Sequence, residues 1–112
     1  MRNFSRSVKC GQRQPYMIAL RVDGTGTASI LEGSNEVTLT DNGTGDYTLT
    51  FSEPFSRVPS VVATPVTADI YCQIATVAVS SVNIKTFNVS AQAATDADFH
   101  VMVMGFDAAD AV

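Results

Sequence analysis

The sequence predicts an all-β fold, an antiparallel β-sandwich of about eight short strands. Three observations lead there. Short runs rich in Val, Ile, Thr, Tyr and Phe recur along the chain. Gly, Asn, Asp and Pro punctuate the gaps between them, and no stretch carries apolar residues at a convincing helical period. A chain of 112 residues makes one domain, which at this size buries roughly two-thirds of its unfolded surface. Hydrophobic residues form 46% of it and charged residues 16%, a balance that excludes a disordered tail. The apolar runs fall far short of the ~18 residues of a membrane span, so no membrane partner is expected.

Each element has a local cause. Residues 16–22 (YMIALRV) form a β-compatible run that follows Pro15 and stops at Asp23-Gly24. Residues 27–31 and 36–40 flank Glu32-Gly33-Ser34-Asn35, which reads as a tight hairpin turn. Asp41-Asn42-Gly43-Thr44-Gly45 is the strongest turn in the chain, because glycine and Asn accept positive φ at little cost. In residues 46–51 (DYTLTF), Tyr47, Leu49 and Phe51 alternate with Thr48 and Thr50, the pattern of a half-buried antiparallel strand. Pro54 and Pro59 bracket an irregular connection, since proline interrupts a ladder. Residues 60–66, 70–80 (IYCQIATVAVS), 83–91 (NIKTFNVSA) and 99–106 (FHVMVMGF) complete the set. Residues 92–97 read as a loop or a single helical turn.

Charge divides the chain into residues 1–14, a basic N-terminal arm, and residues 15–112, the sandwich domain. Arg2, Arg6, Lys9, Arg13 and Arg21 precede every acid, while Arg57 and Lys85 stand against all eleven Asp and Glu in the remainder. A frayed, solvated terminus has this composition, and so does an arm that docks on an acidic surface of a neighbouring protein. Nucleic acid is not expected as partner, because the acidic body repels phosphate and the arm has few aromatics. The first twenty residues lack an apolar stretch followed by a small-residue cleavage site, so no secretory signal is expected. Cys10 and Cys72 are then expected as reduced thiols, Cys72 as a small core residue. The sequons at Asn3, Asn42 and Asn88 read as chance matches.

Chemistry is sparse. In an extended strand Asp96, Asp98 and His100 would share one face, an arrangement that can hold a metal. Thr95-Asp96-Ala97-Asp98 reads more directly as a turn in which Asp caps backbone N–H groups, so no metal is expected. Asp41–Asp46 lacks the alternating oxygen ligands and distant Glu of a calcium loop. Asp23-Gly24-Thr25-Gly26 has no third glycine or lysine for phosphate. With one histidine, no GxSxG and no Cys/His pairing, and no carboxylate pair singled out among Glu32, Glu36, Glu53 and the aspartates, no enzymatic activity and no cofactor are expected. Residues 70–82 carry no charge, so a covering segment or a second copy of the chain is expected there, and we favour an oligomer.

The layout of Arg2–Val22, the turns at 23–26, Gly33-Ser34 and 41–50, the Gln73-Ile74-Ala75-Thr76-Val77 run and the Asp-bearing turn at 94–99 resembles small bacteriophage virion proteins of the capsid decoration (cement) and fibre-tip type. That resemblance spans nearly the whole chain. It implies a homotrimeric sandwich with a structural role in a virion assembled in the host cytoplasm, partnered by the major capsid protein or another virion protein. Arg2, Arg6, Lys9 and Arg13 would form the docking arm, and Ile74, Thr76, Ala78 and Val89 the oligomer interface. A second pattern, Tyr47-x3-Phe51-x3-Phe55-x3-Pro59-x-Val61 with Val103-x-Gly105-Phe106, is similar to the H-type lectin domain, also a trimeric sandwich. It implies a fibre, tail-tip or receptor-binding module, with Asp96, Asp98 and His100 as the residues that would meet a glycan.

Overall fold

The computed structural model describes residues 15–32 and 37–106. The arm residues Arg2, Arg6, Lys9 and Arg13, together with Cys10, lie outside the described residues. Among the described residues the chain forms nine strands and no helix: β1 (Pro15–Asp23), β2 (Ser29–Glu32), β3 (Val37–Gly43), β4 (Asp46–Phe51), β5 (Ser60–Pro65), β6 (Ile70–Val77), β7 (Ser81–Asn88), β8 (Ala93–Ala94) and β9 (Phe99–Phe106). One sheet runs β2-β1-β9-β5 and the other β3-β4-β7-β6, with the two-residue β8 added beside β7. All pairings are antiparallel, and the two sheets pack as a sandwich.

The core follows from period-two alternation. Ile18, Leu20 and Val22 of β1 and Phe99, Val101 and Val103 of β9 face inward from one sheet. Tyr47, Leu49 and Phe51 of β4 and Val82 and Ile84 of β7 face them from the other. Fully burying each such side chain stabilises the fold by about 1.5–3 kcal/mol before entropy is counted. Phe55, from the connection between β4 and β5, plugs one end of the sandwich. Its ring stands edge-on to Phe51 at 5.2 Å and lies 5.0 Å from Tyr16. Cys72 is a half-buried free thiol packed against the core, and burial pushes its pKa up to about 11.

Three local expectations change. The stretches on either side of residues 33–36 do not form a hairpin: β2 pairs with β1 and β3 with β4, so the chain crosses from one sheet to the other there. Turn chemistry marks a reversal, but which strand pairs with which is decided by the two inner faces. Second, residues 92–97 contain no helical turn. Gln92 takes φ 56°, and Ala93–Ala94 then pairs with β7 beyond the point where β4 ends. Third, β6 stops at Val77, and β7 begins earlier than residue 83 after a turn closed by the Ala78 N–H donating to the Ser81 carbonyl at 2.8 Å.

Candidate functional site

The densest polar arrangement lies where residues 95–98 cross one end of the sandwich. Thr95 is held to β7 at both ends of one contact: its N–H donates to the Thr86 carbonyl at 3.1 Å, and the buried Thr86 hydroxyl donates to the Thr95 carbonyl. Asp96 Oδ1 accepts from the Gly45 N–H at 2.8 Å and lies 3.1 Å from the Tyr47 hydroxyl, which is also 3.0 Å from the Gly24 carbonyl. Asp98 Oδ1 accepts from the Gly24 N–H at 3.2 Å, and the Asp98 carbonyl accepts from Val66 N–H. Two carboxylates thereby join the β1–β2 turn, the β3–β4 hairpin tip and the start of β9. Below them the Tyr47 ring packs on Phe99 at 5.3 Å.

The neighbouring acids do similar work. Asp23 Oδ1 accepts from both the hydroxyl and the N–H of Thr25 at 2.6 and 3.0 Å, which holds its pKa below the usual carboxylate value. Asp46 is lowered chiefly by the Asn83 amide, which donates to it at 2.7 Å. Asp41 Oδ1 accepts from the Gly43 N–H inside the hairpin turn expected for 41–45. The Asp23 and Asp41 contacts are loop-fixing contacts of the Asx type, and the Asp46 contact ties β4 to β7.

Asp96, Asp98 and His100 keep the alternation expected of them, since Ala97 and Phe99 are buried between them. They do not act together. The two carboxylates accept the bonds just described, whereas His100 is exposed on the outer face of β9, level with Arg21 of β1 and Thr64 of β5. Among the described residues no three His, Cys, Asp or Glu side chains converge as a metal site would require.

Ile74, Thr76, Ala78 and Val89 do not share a face either. A bulge between Ile74 and Thr76 leaves Ala75 unpaired, so Ile74 stands opposite the buried Ile84 while Thr76 stands opposite Asn83. Ile74 therefore packs against the core and Thr76 is exposed on the other side. Ala78 lies in the turn before β7. Val89 lies past its far end, roughly 25 Å away along an eight-residue strand. The uncharged run 70–82 divides between inward residues and the sheet's outer face.

Sequence reasoning missed the other outer face. On the β2-β1-β9-β5 sheet, Met17, Ala19, Val62, Met102, Met104 and Phe106 are exposed. The signal was present in YMIALRV and FHVMVMGF, where both alternating sets are largely apolar. No protein-family model, curated protein or solved structure matches this chain.

Proposed function

We propose that this chain is a structural protein of a bacteriophage virion, a capsid decoration protein that binds the shell as a homotrimer and catalyses no reaction. The observation that carries the reading is the division of charge about a sandwich. Residues 1–14 hold Arg2, Arg6, Lys9 and Arg13 and no acid. Residues 15–112 hold Arg21, Arg57 and Lys85 against all eleven carboxylates. The carboxylates of the 95–98 crossing and of the adjoining turns are engaged in fixing loops, so among the described residues an apolar sheet face is what a partner would meet, and residues 1–14 add a cationic composition. Both suit assembly. The receptor-binding reading needs free polar atoms at a loop end, and Asp96 and Asp98 already accept hydrogen bonds there, which favours decoration over it.

Co-sedimentation with shells of the encoding phage tests the reading. The full chain is expected to bind, and binding to weaken with salt as the Debye length falls from about 10 Å at 0.1 M to about 3 Å at 1 M. Removal of residues 1–14 is expected to abolish binding while leaving the mass of the assembly and the circular dichroism spectrum of the sandwich unchanged. Retained binding by the shortened chain would remove the arm from this account. A full chain that ignores shells at every salt concentration would sink the decoration role itself.

A further inference from the structure

We propose that copies of this chain assemble through the outer face of the β2-β1-β9-β5 sheet, the methionine faces of three copies converging on a three-fold axis. The inference deepens the assembly reading above and rests on it for the number of copies. The register sets out the face in rows. Met17 stands beside Met104, and Met104 beside Ser60. Ala19 stands beside Met102, and Met102 beside Val62. The next row is polar, with Arg21 beside His100 and His100 beside Thr64, and Glu32 of β2 beside Arg21. Phe106 closes the opposite end.

Exposure makes this a substantial surface. Met17 is 54% exposed, Val62 61%, Met102 47%, Met104 49% and Phe106 42%. With about 200 Å² for a free side chain of such size, the five expose roughly 500 Å², near the upper range for the largest patch on a monomer. That is more than half of the ~800 Å² that each partner contributes to a stable interface, and the polar row and flanking strands supply a rim. The outer face of the other sheet is mostly polar. It presents Thr38 beside Thr50, Thr40 beside Thr48, Thr48 beside Asn83, and Asp46 beside Lys85, groups that water solvates well, and its aromatic pair, Tyr71 and Phe87, stacks on itself at 5.2 Å.

The size of the face, more than half of what each partner gives a stable interface, selects a second copy that brings the same apolar rows, and charge says where copies meet. Two bodies (residues 15–112) that each carry eleven carboxylates against three cations repel, so they approach favourably only where neither is charged. The Met17–Met104 and Ala19–Met102 rows are such a place. Methionine suits contact with itself, because its unbranched, polarisable side chain adapts to the shape it meets.

Sedimentation velocity on the full chain, joined to peroxide oxidation of its methionines, tests the inference. The unaltered chain is expected to sediment as a multimer in which Met17, Met102 and Met104 oxidise several-fold more slowly than after dilution to single chains. Met102→Glu sets a carboxylate at the centre of the face, on a side chain already half exposed. It is expected to give single chains with an unchanged circular dichroism spectrum and rapid oxidation of Met17 and Met104, and Met17→Glu should do the same. Thr76→Glu, on the opposite sheet, should leave the multimer intact. A multimer that survives Met102→Glu and Met17→Glu, one that only Thr76→Glu dissociates, or methionines that oxidise equally fast in both states would overturn the proposal. Single chains whose methionines become protected only on phage shells would overturn it too, by making the shell the occupant while the decoration role stands. A multimer held by this face that never binds shells would support this interface and end the decoration reading.

Discussion

Gly45→Ala is expected to remove about 4 kcal/mol of stability, a large part of the ~5–15 kcal/mol that holds a domain of this size together. Gly45 takes φ 61° at the tip of the β3–β4 hairpin, in the left-handed region where a side chain costs roughly 1–3 kcal/mol. Strain is the smaller part. A Cβ at Gly45 would lie 2.5 Å from the Thr86 carbonyl oxygen and 2.9 Å from the Thr95 nitrogen, both backbone atoms that cannot swing aside. Moving them breaks the bonds from Thr86 N–H to the Gly45 carbonyl and from the Gly45 N–H to Asp96, at 3.0 and 2.8 Å. Gly26→Ala is the control, for Gly26 has φ 60° with open space around it, so only strain of about 1 kcal/mol is expected. Urea denaturation of the two variants checks the difference. Equal midpoints would show that the hairpin tip does not press on the 95–98 crossing.

Tyr47→Ala is expected to cost about 4 kcal/mol, the range for losing a large aromatic from a core. Tyr47 is fully buried, packs on Phe99, and carries the hydroxyl that meets both Gly24 and Asp96. Tyr47→Phe keeps the ring and removes only the hydroxyl, leaving the Gly24 carbonyl without that donor, so a loss of about 1–3 kcal/mol is expected. The pair separates packing from hydrogen bonding.

The hydroxyl also sets an alkaline limit. Burial first, and the Asp96 carboxylate next, hold the Tyr47 pKa well above the ordinary tyrosine value. Below pH ~10 both folded and unfolded chains keep this proton and it has no effect on stability. Above that pH the unfolded chain releases it and the folded chain does not, so stability falls as pH rises. Cys72, raised from its ordinary 9.0 to about 11, acts with the same sign. Tyr47→Phe should therefore flatten the loss above pH ~10 without changing the profile near neutrality. An unchanged alkaline slope would mean that Tyr47 ionises freely in the folded chain.

Much of the fold was legible because strands write their facing into period two. DYTLTF announced Tyr47, Leu49 and Phe51 as core, and they are buried as a set. The hairpin at 41–45 was legible because its glycines and Asn name the backbone they adopt. Pairing across sheets was not. Gly33-Ser34-Asn35 reads as a turn whether it joins neighbours or carries the chain to the other sheet, and only complementarity of inner faces decides. The bulge at Ala75 was invisible for a related reason: a single unpaired residue flips the facing of all that follow, which dispersed Ile74, Thr76 and Ala78. Asp96 and Asp98 were read as capping residues of a local turn. Their actual partners, Gly45 and Gly24, lie 51 and 74 residues away, a separation no local pattern reports.

The central claim is assembly through an uncharged face, with salt-sensitive docking left to the arm. Light scattering of the full chain on a size-exclusion column, at low and at moderate salt, tests it most directly. The account predicts a mass near three chains that salt does not change, because apolar burial rather than ion pairing holds the copies together. A mass of one chain at both salt concentrations would contradict it and leave the exposed methionines without a partner of their own kind.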